Sequence, residues 1–584
     1  MFLPTTIAEV RQRGWSGLDV ILVTGDSYID SPHIGVAVIG RVLYAAGYRV
    51  GIIAQPDRST PADIVRLGEP ELFWGVTGGS VDSMVANYTA LNKKRRSDDF
   101  TPGGTNNRRP DRAVIVYANL IRRHFKSPAP IVIGGIEASL RRISHYDFWS
   151  NRIRRSLLFD AKADILVYGM GEKPILALAL AFRKQEDYRH IRGICYKARR
   201  PPADALHLPD HEGAAADPAA FTQMFHRFYR NNDPQSARVL CQQQDSRFLV
   251  HNPPARSYST EELDAVYEMD FEYDQHPYYE KQGPVRALET IRFSLTTHRG
   301  CYGECHFCAI AVHQGRTVQW RSPASLLREA RSLTGHPLLR GVLLDVGGPT
   351  ANMYGFECTR KSRQGACRHR RCLFPQVCEH LPVDHSRQVA LLTALHQLPG
   401  VRHVFVASGL RYDLVMADRK SGRSYIDALA GRHVSGQLKI APEHSEDDVL
   451  TQMGKSGIET LLPFRERFMK ASRDAGKHQY LTYYFIAAHP GTTAGHMKRL
   501  KSFCRRQLRI SPEQVQIFTP TPSTYSTLMY WTERDPFSGE KIFVEKDPVR
   551  KQGQKKELLP RRPSRPRDKR PPSRPPGRPH RHRQ

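Results

Sequence analysis

The chain has 584 residues and a formal net charge of +29, enough length for two or three domains that each bury a core. No apolar run reaches bilayer-spanning length, and Met1-Phe-Leu-Pro-Thr-Thr-Ile-Ala-Glu-Val10 lacks the basic-then-apolar plan of a signal peptide, so no membrane partner and a cytoplasmic location are expected. Ten cysteines, seven of them between Cys301 and Cys378, are too few and too clustered for a disulfide scaffold and point to metal binding.

Leu18-Asp-Val-Ile-Leu-Val-Thr-Gly25 reads as a buried strand, residues 35–46 as a helix and Tyr48-Arg-Val-Gly-Ile-Ile-Ala54 as the next strand. Further strands fall near Glu71 to Val76, Pro130 to Gly134 and Ala163 to Tyr168. The alternation predicts a doubly wound, Rossmann-like α/β sheet over residues 1–200. Gly134-Gly-Ile-Glu-Ala-Ser-Leu-Arg-Arg142 and Tyr168-Gly-Met-Gly-Glu172 lie just past strand ends, where open sheets place ligands, although neither is a full dinucleotide fingerprint. Residues 201–285 read as a connecting segment.

Residues 286–530 read as six strand–helix units, a partial (β/α)6 version of the eight-fold barrel. Strands are placed near 291–296, 341–345, 403–408, 437–441, 481–486 and 514–518, with helices between them. One helix is Pro323-Ala-Ser-Leu-Leu-Arg-Glu-Ala-Arg-Ser-Leu333, capped by Ser322 with Pro323 at its first position. Barrel active sites form at the carboxyl ends of the strands, so the segment after each strand matters most.

After the first strand comes Arg299-Gly-Cys-Tyr-Gly-Glu-Cys-His-Phe-Cys308, whose Cys301, Cys305 and Cys308 form a Cys-x3-Cys-x2-Cys pattern. Three thiolates hold three irons of a 4Fe-4S cubane and leave the fourth open, which suits chelation and reductive cleavage of S-adenosylmethionine to a 5'-deoxyadenosyl radical. A zinc knuckle completed by His298, His306 or His313 is the alternative, although zinc ligands usually come as two short pairs with a longer stretch between.

The later strands end in Asp345-Val-Gly-Gly-Pro-Thr350, Ser408-Gly-Leu-Arg-Tyr-Asp413, Lys439-Ile-Ala-Pro-Glu-His444, His489-Pro-Gly-Thr492 and Thr519-Pro-Thr-Pro-Ser-Thr524. Gly347 and Gly348 allow close backbone approach to a cofactor with a free amino group, and Ser408 lies at a neighbouring strand end. Arg411 has the fork to clamp a carboxylate, and Glu443 can accept from an amino group or ribose. His444 and His489 are proton carriers near neutral pH.

Between the second and third units, an insertion over residues 352–385 carries Cys358, Cys367, Cys372 and Cys378, spaced x8, x4 and x5. A second Fe-S cluster or a structural zinc suits them, with His369, His380 and His385 as nearby substitutes. Residues 531–547 read as a barrel extension. From Lys546 to Gln584, fifteen Lys and Arg against three Asp and Glu give +12, and the Arg/Pro-rich tail from 548 is expected to be disordered. Non-specific contact with nucleic-acid phosphates and simple solubilisation are equal readings of it.

Together these segments, with Leu22-Val-Thr-Gly-Asp-Ser-Tyr-Ile-Asp30, His145-Tyr-Asp147, Ala441-Pro-Glu-His444 and Gln516-Ile-Phe-Thr-Pro-Thr-Pro522, resemble the YgiQ family of radical SAM proteins over roughly residues 3–545. The resemblance implies a radical SAM half barrel, a 4Fe-4S cluster on Cys301, Cys305 and Cys308, S-adenosylmethionine as co-substrate, and a one-electron reductant of flavodoxin or ferredoxin type. It implies no particular substrate.

The amino-terminal half also resembles the cobalamin-binding domains of one radical SAM class. Their Asp-x-His-x-x-Gly appears here as Asp30-Ser-Pro-His-Ile-Gly35, with the histidine displaced by one, so lower-axial ligation by His33 is not expected; some relatives bind cobalamin without that histidine, so the resemblance leaves cobalamin open as a cofactor without favouring it.

The leading function is a radical SAM enzyme that abstracts hydrogen from its substrate. Thr519-Pro-Thr-Pro522 also resembles the last strand of tRNA methylthiotransferases, and with the basic charge it makes RNA the preferred substrate class. An Fe-S redox or sensor protein that never cleaves S-adenosylmethionine, and a zinc-stabilised nucleic-acid scaffold, are the alternatives from other classes.

Overall fold

The computed structural model describes residues 1–560, so the tail expectation for 561–584 lies outside the described residues. The apolar run Val20–Thr24 forms strand β1, buried along its whole length. It needs no polar alternation because helices cover both faces: Val20 and Leu22 enter one core with Val38 and Val42 of helix α1 (Gly35–Ala45), and Ile21 and Val23 the other with Val114 and Tyr117 of helix α2 (Ala113–His124). Strands β2 (Val50–Ala54), β3 (Phe73–Thr77), β4 (Ile131–Gly134) and β5 (Ile165–Val167) run parallel to β1 in the spatial order β2-β1-β3-β4-β5. The order reverses between β1 and β3, which opens a crevice at the carboxyl edge of the sheet.

The sheet does not stop at residue 200. Strand β6 (Ile194–Ala198) pairs antiparallel with β5, and β7 (Leu206–His207), β8 (Leu240–Gln244) and β9 (Arg247–His251) extend it in the order β7-β8-β9-β6-β5. Part of the expected connecting segment is therefore sheet. Leu240-Cys-Gln-Gln-Gln244 reads polar, yet Gln242 and Gln244 are buried because their carbonyls accept from the Ser144 and Ser156 backbone N–H groups at 3.1 and 3.0 Å.

The second half contains the six parallel strand positions of a partial barrel. They are β10 (Ser294–Thr296); β11 (Val342–Leu343), continuing as β12 (Asp345–Gly347); β13 (His403–Val404); β14 (Gln437–Glu443); β15 (Tyr480–Ala487); and β16 (Gln514–Ile517). Neighbours in sequence pair in parallel: β10 with β12, β11 with β13, β14 with β15 and β15 with β16, while a Leu410–Ile440 bridge joins the third and fourth positions. Helix α3 (Pro323–Thr334) starts as its sequence dictates, with the Ser322 hydroxyl accepting from the Ser325 N–H at 3.1 Å.

The first residues of the expected tail differ from expectation. Pro548–Leu558 is helix α4, capped by Asp547 and started by Pro548. It docks because Gln554 exchanges bonds with Ala488 N and Thr492 O, Leu558 is buried, and Lys551 reaches the Tyr530 hydroxyl at 2.9 Å. Among the described residues no helix is long and apolar enough to cross a membrane.

Candidate active site

The loop carrying Cys301, Cys305 and Cys308 leaves the first barrel strand and is held on both sides by the amino-terminal domain. Arg299 pairs with Glu172 at 2.5 Å, and Tyr267 accepts from Arg299 Nε at 3.0 Å. Past the loop, His313 Nδ1 lies 3.0 Å from Ser139 Oγ, and Asn232 donates to the Ala311 carbonyl at 3.2 Å. Both Gly-rich segments singled out in the first half thus contribute a residue that fixes this loop.

The three thiols suit an iron cluster. The Gly303 N–H donates to Cys301 Sγ at 3.3 Å, and Arg411 Nη1 lies 3.6 Å from Cys305 Sγ. A Cβ on Gly303 would sit 3.2 Å from Cys301 Sγ and 3.6 Å from Cys305 Sγ, in the space the thiols share. Burial, then the neighbouring Cys305 and Cys301, push the Cys308 thiol up to about 12, and burial also raises Cys301. Clustered thiols of this kind deprotonate when cationic iron compensates them.

The histidines that would complete a zinc site are engaged at one ring nitrogen or at both, and His298 keeps its Nε2 free. His306 bonds Gln452 O and Arg371, His313 bonds Ser139, and His298 Nδ1 lies 2.8 Å from Thr297 Oγ1. Among the described residues no three His, Cys, Asp or Glu side chains gather round a single-ion position.

A cavity of about 1120 Å³ lies between the carboxyl edges of the two sheets; Arg299 and Ile310, on either side of the cysteine loop, line it, whereas Cys301, Cys305 and Cys308 do not. Gly347, Gly348 and Ser408 line it from the barrel, facing Thr24, Gly134 and Gly169 of the first domain. Ser408 is oriented by Asp345, whose Oδ1 accepts from the Ala407 and Ser408 N–H groups at 2.8 and 3.1 Å.

The other expected cofactor contacts are placed differently. Arg411 closes its fork on Asp413, with Nε at 2.8 Å from Oδ1, so only Nη1 faces the cysteine loop. Glu443 is buried at a backbone φ of +68° and pairs with Lys455 at 3.5 Å. His489 does not line the cavity; its ring nitrogens bond Pro490 O and Ser526 Oγ at 2.8 and 2.6 Å. His444 is buried, with Nδ1 accepting from the Glu446 N–H at 3.1 Å.

Sequence reasoning gave His298 only the role of a zinc substitute. It is fully buried, lines the cavity, and its Nε2 has no hydrogen-bond partner among the described residues. A Cβ on Gly348 would lie 2.6 to 2.8 Å from three atoms of its ring, so the glycine pair serves this contact as well as the cavity. Its position at the end of the first strand was the signal available.

Burial pushes His33, His298 and His313, which all line the cavity, down to about 4 from the ordinary 6.5. A depressed histidine lets the unfolded chain bind more protons, so its contribution to stability is complete above pH 6.5 and is lost as pH falls toward 4. Each histidine contributes a slope of up to about 1.4 kcal/mol per pH unit in that window. The urea midpoint is therefore expected to fall between pH 7 and pH 4.5, and less steeply in His298→Gln; an unchanged slope in that variant would remove His298 from the account.

The insertion forms a second concave site. Cys358, Cys367, Cys372 and Cys378 all line one cavity of about 550 Å³, with His369 and His380. His385 is absent from it, being bonded to Asp418 at 2.7 Å and to Asn352.

The family model described as Radical SAM N-terminal matches residues 2–294. A UPF0313 protein of Fusobacterium nucleatum is 55% identical over 555 residues, covering 95% of this chain and 98% of its own. One from Thermotoga maritima is 48% identical over 549 residues, covering 94% and 96%. Among solved structures, the radical S-adenosylmethionine methyltransferase TsrM of Kitasatospora setae, with tryptophan substrate and the analog aza-SAM bound, is 15% identical with a TM-score of 0.49, over 86% of this chain and 75% of that one. The cobalamin-dependent S-adenosylmethionine radical enzyme OxsB, with aqua-cobalamin bound, is 12% identical with a TM-score of 0.48, over 88% and 56%.

Proposed function

From the premise that this chain belongs to the UPF0313 family, within the radical SAM proteins, we propose that it cleaves S-adenosylmethionine reductively and uses the resulting radical to take hydrogen from a substrate held between its two sheets. The observation that carries this reading is the placement of a Cys-x3-Cys-x2-Cys loop beside a cavity built from the carboxyl edges of both sheets.

Cys301, Cys305 and Cys308 would hold a 4Fe-4S cluster, which when bound supplies the electron that splits the sulfonium of S-adenosylmethionine. The Gly303 N–H and Arg411 Nη1 stabilise negative charge on the thiolates. Gly347, Gly348 and Ser408 shape the cofactor side of the cavity, and Asp345 holds Ser408 in place. His298, neutral near pH 7, offers one unpartnered ring nitrogen to whatever occupies the space.

The cavity exceeds the roughly 300–1,000 Å³ of ordinary small-molecule sites, leaving room for a substrate beside S-adenosylmethionine. Within this reading the protein is a YgiQ-type enzyme of the cytoplasm, its electron donor is a flavodoxin or ferredoxin, and RNA is the preferred substrate class because of the charge of +29. A second use of the same space, as a corrinoid site, has one observation behind it: His33 lines the cavity despite the one-residue displacement of its motif, with Nδ1 3.3 Å from Ser31 Oγ.

The test is an EPR spectrum of anaerobically reconstituted, reduced protein with and without S-adenosylmethionine, alongside assay of 5'-deoxyadenosine. A reduced-cluster signal that shifts with S-adenosylmethionine, with 5'-deoxyadenosine formed, is expected. A signal indifferent to it, with no product, would move the reading to a redox or sensor protein. An absorbance change on adding hydroxocobalamin, lost in His33→Ala, would favour the corrinoid reading.

A further inference from the structure

The insertion has a chemistry of its own. Its four cysteines are free thiols and come together around one cavity although they are spread over twenty-one residues of chain. Packing in a small core accounts for Cys358, whereas Cys367, Cys372 and Cys378 stay partly exposed and line the shared cavity.

The space between them decides what they hold. A tetrahedral zinc draws its ligand sulfurs to about 2.3 Å from one point, yet no three potential ligands among the described residues gather round a single-ion position. The thiols instead line a cavity of about 550 Å³, many times the roughly 30 Å³ share of one water molecule. A polynuclear centre takes its four ligand sulfurs on separate irons spread round a shared space, whereas a single ion draws them to one point.

The surroundings supply the charge that a four-thiolate cluster needs. Lys361 Nζ lies 3.5 Å from Cys372 Sγ, and Arg360, Arg368, Arg370 and Arg371 complete a cationic wall. The lining carboxylate, Glu379, is paired with Arg370 at 3.1 Å. Lys361 also reaches Glu304 of the first cysteine loop at 3.5 Å, and Cys301, Cys372 and Cys378 pack against one small core that contains Tyr302, Phe356 and Cys358.

We propose that Cys358, Cys367, Cys372 and Cys378 hold a second 4Fe-4S cluster in which every iron is thiolate-bound. With no open iron, this centre takes up and passes on single electrons and binds no substrate. The assignment does not depend on what the first loop does with S-adenosylmethionine.

The experiment uses the full chain carrying Cys301→Ala, Cys305→Ala and Cys308→Ala, reconstituted anaerobically with iron and sulfide. It is expected to retain about four irons and four sulfides per chain and, when reduced, an EPR signal that S-adenosylmethionine leaves unchanged. Stoichiometric zinc, or no metal, in that soluble variant would overturn the proposal. If the triple variant does not fold, iron in the wild type decides: about eight per chain supports two clusters and about four overturns the second. A wild-type signal that ignores S-adenosylmethionine would sink the function proposed above while leaving the triple-variant result standing, so the two failures are distinguishable.

Discussion

Cys305→Ala is expected to bring 5'-deoxyadenosine formation down to the level of protein without its cluster, while the folded state survives. Under the proposed assignment the loop supplies three thiolates and no more, so losing one removes a cluster ligand. His306 is held at both ring nitrogens, by Gln452 and Arg371, and His298 and His313 at Nδ1, by Thr297 and Ser139. Cys305 is only partly buried and its sulfur meets Arg411 at 3.6 Å, so its truncation costs within the usual ~1 kcal/mol of a point change. Product formation by chromatography, read beside a urea unfolding curve, separates the two effects. Substantial residual 5'-deoxyadenosine in a well-folded variant would refute the assignment of the cluster loop.

Glu172→Ala is expected to destabilise the protein by about 3–5 kcal/mol, since it leaves Arg299 as a buried, uncompensated charge. The two side chains are 6% and 9% exposed and lie 2.5 Å apart across the junction of the two domains. Burial alone would raise the Glu172 carboxyl, but Arg299 outweighs it and holds the group below the ordinary carboxylate range. The pair therefore adds stability above that range and loses it as pH falls into the acid region where Glu172 protonates. Arg299 is two residues from Cys301, so the same substitution is expected to lower S-adenosylmethionine cleavage by loosening the start of the loop. Adding Arg299→Ala should restore part of the stability lost in Glu172→Ala, because it removes the orphaned charge. Strictly additive losses in the double-mutant cycle would show that the pair is not coupled.

The fold was legible wherever apolar content tracked burial. Val20–Thr24, Val50–Ala54 and Ile131–Gly134 are fully or nearly fully buried strands and announce themselves as apolar runs, and the barrel strands fall within a few residues of their expected positions. Two stretches were hidden for opposite reasons. Leu240–Gln244 is a strand whose Gln242 and Gln244 are buried by partners about a hundred residues away, and Pro548–Leu558 is a basic segment that folds because Gln554 and Leu558 meet the barrel.

The candidate site divides along the same line. By itself the sequence determined the chemistry: three thiols at Cys-x3-Cys-x2-Cys spacing, four more in one insertion, and glycines at a strand end are local patterns, legible without knowing what lies across the molecule. Only the tertiary structure decided which groups are free to act. Arg411 turns its fork to Asp413, His489 to Ser526, and Glu443 to Lys455, whereas His298 keeps a bare nitrogen beside Gly348. A charged or polar side chain is spoken for by whatever partner the fold brings within about 3 Å, and those partners come from distant parts of the chain whose approach no spacing rule encodes.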